Sequence, residues 1–402
     1  MRKDGSNLPK IAGGQSTRKK FLYFFALQIT KDDIESVVKV LKSGWITTGP
    51  IASEFERKLK MVIGSKYVCA VNSCTAALHL SLVVSGVKNG DEVITTPLTF
   101  ASVANVIVQV GAKPVFADVE RLTGNIDPIE VEKKITKKTK AIIVTHLFGR
   151  PVNMDALLEI AKSYKLIVIE DCAHALGARY KGNHVGTIGD FGAFSFYATK
   201  NITTAEGGAL ATNNKKFWQL ADMYRQHGLS RNSWQRYTQK NIKYYQLEVA
   251  GFKYDMPDMN AALGLSQLKR FTKSQKKREQ IWQKYDKAFS KLPVIIPPQV
   301  NKNIVHARHI YPLILKLENL KADRDRIREA LAKDNIGTSV HFISLHLQPF
   351  YKKLLGHKPL DFPNALYLSQ RLLSLPMSQN LTDDEVEDVI SAVKKVFKYF
   401  SK

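Results

Sequence analysis

The chain has 402 residues, 44% of them hydrophobic, which is enough for more than one buried core and leads us to expect two domains. Its best membrane candidate, FLYFFALQI at 21–29, is too short to cross a bilayer and follows a polar tail, while three cysteines without metal-ligand spacing argue for a reducing, cytoplasmic setting. The formal charge of +24 comes from 60 Lys+Arg against 36 Asp+Glu, but the basic residues are scattered and lack interleaved aromatics, so a nucleic-acid partner is not expected.

Residues 1–20 are polar and Gly-rich and read as a loose tail. From Lys66 onward, short β-branched apolar runs alternate with helical patterns. Strands are predicted at YVCAVN (67–72), EVITT (92–96), PVFADV (114–119), AIIVTHL (141–147) and LIVIED (166–171). An amphipathic helix is expected from about Ala76, and MDALLEIAKSY (154–164) has helical spacing. Asp127, Pro128 and Glu130 read as N-cap, first helical residue and capping-box partner. Such alternation implies a mostly parallel sheet covered on both faces.

After Gly177 the strands shorten, at FGAFSF (191–196) and GGALAT (207–212), and a long helical pattern over 257–291 leads away from the sheet. A smaller α+β unit follows: a strand at 310–316, a helix at 323–333, a strand at 338–343 and a last helix opened by the Thr382/Glu385 capping box. The expected division is a large domain over 21–270 and a small one over 271–402.

In open α/β sheets, ligands bind beyond the carboxyl ends of the strands. LIVIED ends in Asp171, which alone reads equally well as a turn-capping residue. Lys200 follows an apolar strand in SFYATKNITTAEGGAL and is set among small and hydroxylated residues. A desolvated lysine there would be a usable nucleophile for carbonyl compounds, against the alternative of an ordinary loop lysine. In VNSCTAALHLSL, residues 72–75 stand between a strand and a helix, where free N–H groups and the helix dipole suit an anion; plain N-capping by Ser73 or Thr75 would use the same residues. There is no Walker lysine and no G-x-G-x-x-G, so nucleoside triphosphates and dinucleotides are disfavoured, and no metal site is expected. An amine, a carboxylate and a phosphate-ready helix start together are the parts that pyridoxal 5′-phosphate requires.

The chain resembles the DegT/DnrJ/StrS family of sugar aminotransferases over almost its whole length. The resemblance is carried in order by LKSGWITTGPIASEFE, VNSCTAALHLSL, DEVITTPLTFASVANVI, IEDCAHALGARYKG, GDFGAFSFYATKNITTAEGGAL, GFKYDMPDMNAALGLSQL, GTSVHFISLHLQPFY and SLPM. It implies an aspartate-aminotransferase-like α/β fold (fold type I of pyridoxal-phosphate enzymes), working as a homodimer with sites shared between subunits. By position, Lys200 matches the Schiff-base lysine and proton carrier, and Asp171 the partner of the ring nitrogen. His174 matches the polar residue near the ring hydroxyl, Phe100 the aromatic that stacks on the ring, and Cys74, Thr75 and Ser195 the phosphate cradle.

Glutamate as amino donor and a nucleotide-linked keto-sugar as acceptor, aminated at C4 of a UDP-sugar in a ping-pong reaction, are also implied by the resemblance. Thr47, Thr48, His146, His341 and His346 are candidate sugar contacts, although each histidine reads equally well as structural. The rival readings are a cofactor-binding protein without turnover and a basic nucleic-acid binder. Three departures are visible, the first being Gln246 and Ala250, which stand where similar sequences often read glutamate and proline. Ala205 replaces a usual glycine, a change that matters if its backbone needs positive φ. Asp255 stands where an amide often reaches the phosphate of the neighbouring subunit; pairing with Lys253 or capping the next helix would turn it away, and capping is the favoured expectation.

Overall fold

The computed structural model describes residues 8–27, 29–229 and 246–402. Its centre is a seven-stranded sheet of β1 (Tyr67–Val71), β2 (Glu92–Thr95), β3 (Lys113–Phe116), β4 (Thr139–Thr145), β5 (Ile167–Asp171), β6 (Phe191–Ser195) and β7 (Gly208–Thr212). The order across the sheet is β1-β7-β6-β5-β4-β2-β3. β7 runs antiparallel to both neighbours, and the other adjacent pairs are parallel. Parallel strands with both faces covered need apolar residues throughout, and β4 and β5 are buried over most of their length.

Two helices precede the sheet, α1 (Lys31–Ser43) and α2 (Pro50–Ile63). α3 (Cys74–Val84) begins two residues before the expected start, and it is not amphipathic: Ala76 to Leu82 are all buried, because it packs against strands rather than facing water. α4 (Ala101–Gln109) follows β2, and α5 (Pro128–Glu132) and α6 (Met154–Tyr164) flank β4. The Asp127 carboxylate caps α5 by accepting the Ile129 N–H at 2.9 Å. Glu130 does not close the expected capping box; its carboxylate instead accepts from Lys133 Nζ at 2.6 Å.

The long helical pattern at 257–291 is two helices, α8 (Asp258–Lys269) after α7 (Lys215–Tyr224), and α9 (Phe271–Phe289). They are broken at Arg270, whose φ/ψ of −106°/7° leaves the helical basin. α9 leads to a three-stranded antiparallel sheet of β8 (Val294–Ile295), β9 (Tyr311–Leu315) and β10 (Leu372–Leu375). With α10 (Arg324–Lys333) and α13 (Asp383–Phe400), this sheet surrounds a cluster containing Trp282, Tyr285, Tyr311, Leu331 and Phe397. α11 (Pro349–Leu355) and α12 (Pro363–Arg371) complete this part. Thr382 and Glu385 form the expected capping box. The strand expected at 338–343 is absent; Ser339 makes only an isolated bridge with Ser374, so this backbone is free to line a cavity.

The N-terminal stretch is docked from residue 8 rather than loose. Buried Asp334 accepts the N–H groups of Lys10 (3.3 Å) and Thr17 (2.9 Å), and Arg18 pairs with Asp388 at 2.6 Å. The composition hides this, because the partners lie more than 300 positions away. Leu22 joins the small-sheet cluster and bridges Ile336.

Candidate active site

The carboxyl ends of β1, β2, β4, β5 and β6 meet at one edge of the sheet, and antiparallel β7 enters from that same edge. The resulting cavity measures about 470 Å³. Cys74 and Thr75 line it from the start of α3, Asp171 from the end of β5 and Ser195 from the end of β6. His174, Lys200, Phe100 and His341 complete the set of sequence-identified residues that reach it.

Asp171 is buried and heavily held. Its Oδ1 accepts the Ala173 N–H at 3.0 Å, and its Oδ2 accepts the Thr145 hydroxyl at 3.2 Å. The Cys74 thiol approaches Oδ1 at 3.8 Å, and Thr145 is itself bonded to Thr99 at 2.9 Å. Burial raises the carboxyl above its ordinary range, opposed by the Ala173 N–H, the Lys200 charge and the Thr145 hydroxyl. Lys200 sits in the turn after β6, its N–H on the Tyr197 carbonyl at 2.9 Å. Burial pushes its amine down to about 8, with Asp171 and then Cys74 pulling it back up. Burial, then the Asp171 charge, raises the Cys74 thiol well above normal, so it is a neutral group rather than a second nucleophile.

The start of α3 is built for an anion. Ser73 caps the helix by accepting the Ala76 N–H at 3.1 Å, which leaves the Cys74 and Thr75 N–H groups without intrahelical acceptors by their position. β7 lies so close that a Cβ on Gly208 would stand 2.5 Å from the Cys74 nitrogen. Only a bare backbone leaves that cradle open. His174 Nδ1 is buried without a partner, and burial holds the ring neutral. An anion cradle, a carboxylate, a neutral amine source and an orphaned ring nitrogen converge on one space, so the residues present fit pyridoxal phosphate.

Four sequence candidates do not line the cavity. His146 is fully buried; its Nε2 meets Glu170 at 2.9 Å and its Nδ1 accepts the Val152 N–H at 3.1 Å. His346 is buried between the Ser344 hydroxyl (2.9 Å) and the Pro359 carbonyl (3.2 Å). The Thr48 hydroxyl is engaged by Asp255 and the Met256 carbonyl, and Thr47 gives its carbonyl to the Asp258 N–H. His146, Glu170 and Cys172 bring donor atoms within 4.8 Å of one another, but Glu170 is already satisfied by the N–H groups of Gly186, Ile188 and Gly189.

Sequence reading missed Phe24, Tyr197, Glu206, Ser339 and Phe342, which also line the cavity. Phe24 comes from the docked N-terminal segment, its ring 5.4 Å from His341. No local pattern could have placed it. Tyr197 and Glu206 lie within the quoted lysine segment and were within reach of a reading that follows strand ends.

Asp255 is not the cap of α8, whose N-cap is Pro257 without a side-chain bond. It turns instead to Lys253, 2.7 Å from its Oδ1, and to the Thr48 hydroxyl. Among the described residues, no helix is long and apolar enough to cross a membrane.

The model of the DegT/DnrJ/EryC1/StrS aminotransferase family matches residues 27–394. The spore coat polysaccharide biosynthesis protein SpsC of Bacillus subtilis is 45% identical over 382 residues, 95% of this chain and 98% of SpsC. A putative sugar aminotransferase of Streptococcus pneumoniae, solved in its PMP form, superimposes with a TM-score of 0.88 at 33% identity, covering 94% of this chain and 99% of that one. DesI, solved in the presence of its TDP-sugar product, gives a TM-score of 0.85 at 27% identity, covering 97% and 96%.

Proposed function

This chain belongs to the DegT/DnrJ/EryC1/StrS family of pyridoxal-phosphate-dependent sugar aminotransferases, and we propose that it moves the amino group of glutamate to C4 of a UDP-linked keto-sugar. The observation that carries the aminotransferase part of this reading is the convergence of Lys200, Asp171 and the open start of α3 on one cavity, while glutamate, C4 and the UDP carrier rest on the family resemblance. Bound there, the cofactor supplies an aldehyde for amines and a ring able to accept an electron pair. Asp171, lining the cavity at the end of β5, would face the ring nitrogen and keep a proton on it. Lys200 in its neutral form would hold the cofactor through its amine and would be the group that carries the proton in transamination. Phe100 would cover the cofactor from the cavity wall, and the unpaired Nδ1 of His174 would be available to one of its polar groups. The N–H groups of Cys74 and Thr75, with the Ser195 hydroxyl, would hold the phosphate.

Glutamate and sugar use this one cavity in turn, so the reaction is ping-pong. A homodimer with shared sites and a cytoplasmic setting belong to the same proposal, the latter supported by the three free cysteines. SpsC, by its name, serves polysaccharide biosynthesis, and an amino sugar for a surface polysaccharide suits the product. Incubation with glutamate and a panel of nucleotide keto-sugars, followed by mass spectrometry, tests it. Amination of a UDP-4-keto-sugar is expected; turnover confined to other acceptors overturns the substrate assignment.

A further inference from the structure

Lys200 lies in a turn outside the described helices and strands, with its own N–H held by the Tyr197 carbonyl at 2.9 Å. Whatever fixes the next residue therefore bears on where the amine stands. Asn201 is buried and does not line the cofactor cavity. Its Nδ2 donates to the Ala307 carbonyl at 3.0 Å and to Gln275 Oε1 at 3.2 Å, and its Oδ1 meets His309 Nδ1 at 2.8 Å. Gln275 is on α9, and Ala307 and His309 lie just before β9. The residue beside the lysine is thus bonded through its side chain to the C-terminal part of the chain.

These contacts fix the state of His309. A backbone carbonyl only accepts, so the Asn201 amino group must face Ala307 and its oxygen must face the imidazole. An amide oxygen also only accepts, so the ring proton is on Nδ1 and the lone pair on Nε2. Gln275 agrees with this assignment, because its own Nε2 donates to Ala307 at 3.2 Å and leaves its oxygen for Asn201. Burial, then the neighbouring His174 and Lys200, lowers the His309 ring well below the usual histidine range, so it stays a neutral donor at neutral pH.

The ring also stands behind a residue of the cavity wall. Its centroid is 4.7 Å from that of His174, and Arg278 Nη1 donates to the His309 carbonyl at 3.2 Å. Gly149, at φ of +99°, permits this approach: a Cβ there would stand 2.8 Å from the His174 carbonyl oxygen and 3.0 Å from the Ala307 Cβ.

We propose that Asn201 and His309 form a positioning pair for Lys200, tying the turn that carries the lysine to the C-terminal part so that the amine stays dry and aimed into the cavity. Neither residue lines the cavity, so both act through the lysine. The inference rests on the reading of Lys200 as the residue that captures pyridoxal phosphate.

Stopped-flow capture of pyridoxal phosphate by the apo protein, run across a pH series, tests this. Asn201→Ala and His309→Phe should each slow capture about tenfold or more. Each should also move the levelling-off about one pH unit above the wild-type value, because a loosened turn rehydrates the amine. His309→Asn keeps an N–H donor where Nδ1 stands and should capture within about threefold of wild type. The double variant Asn201→Ala/His309→Phe should be no slower than the slower single one, since a pair acts as one unit. A purely structural role would lower the urea midpoint and leave the pH profile where it was. That result in the single variants, or losses that multiply to about a hundredfold in the double one, overturns the proposal. Should one single variant fail to fold, the pH profile of the other decides. Borohydride mapping separates the pair from the lysine: with the adduct on Lys200 and both variants capturing like wild type, the pair falls and Lys200 stands. With the adduct elsewhere, both fall.

Discussion

Lys200 and Asp171 perturb each other across one cavity: burial lowers the amine and raises the carboxyl, while the charge on each draws the other part of the way back. The neutral amine is the nucleophile, so a lowered value means more reactive lysine at a given pH. With Lys200 at about 8, half is neutral at pH 8, against roughly 0.3% for an unperturbed lysine. Capture of pyridoxal phosphate by the apo protein should therefore accelerate about tenfold per pH unit and level off near pH 8. Stopped-flow absorbance across a pH series reads this directly. A rate still climbing at pH 10 would mean that the amine is not desolvated.

Borohydride treatment of the loaded protein should fix the cofactor to Lys200, and peptide mapping should find it there. Lys200→Ala should lose transamination altogether, because both the covalent anchor and the proton carrier are gone. An adduct on a different lysine would refute the assignment.

Asp171→Asn keeps the shape and the Thr145 contact but removes the charge that retains the ring proton. The rate should fall by about two orders of magnitude or more with cofactor still bound. Turnover close to wild type would place another acid beside the ring nitrogen.

These residues were legible for a chemical reason: Asp171 ends a strand of the parallel sheet and Lys200 lies in the turn just after the neighbouring strand, both at the edge where ligands bind. Strand patterns singled out Lys200, Asp171 and the start of α3 as candidates, each with a plain structural alternative, and the order of motifs supplied the resemblance that decided between them. Phe24 and the docking of residues 8–20 could not be read this way, because their partners are distant in sequence and only tertiary packing brings them in. His146 illustrates the opposite failure. A strand-end position suggested a ligand contact, but its ring faces Glu170, whose carboxylate is tied to three backbone N–H groups.

Ala205 has φ of +67°, so the glycine usual at this position answers a real backbone demand. The left-handed conformation costs an L-residue about 1–2 kcal/mol, partly offset by the smaller unfolded-state entropy of alanine. Ala205→Gly should raise stability by about 0.5 kcal/mol, seen as a higher urea midpoint with unchanged slope. An unchanged or lower midpoint would show that the neighbouring Thr203 hydroxyl, which accepts the Ala205 N–H at 2.9 Å, already relieves the strain.

The capping aspartate near α8 is Asp258 rather than Asp255, and the helix whose start it holds is α2. Its Oδ1 accepts the N–H groups of Gly49 and Ala52, both at 2.8 Å, and its Oδ2 that of Ile51 at 3.1 Å. Gly49, the residue before α2, has no side chain to perform this task, so a carboxylate from a distant helix supplies the acceptor. Burial nevertheless raises the Asp258 carboxyl against these three donors, which means that its charge is not fully compensated. Asp258→Ala leaves three donors unpaired, two of them in buried bonds, and should cost about 2 kcal/mol or more. Asp258→Asn keeps one acceptor oxygen and sheds the undercompensated charge, so it should cost less than alanine. By contrast, Asp255→Asn removes only a pairing with Lys253, whose side chain is 61% exposed, and should change stability by less than about 1 kcal/mol. Equilibrium urea denaturation of the three variants ranks these losses. An Asp255→Asn loss exceeding that of Asp258→Ala would reverse the assignment.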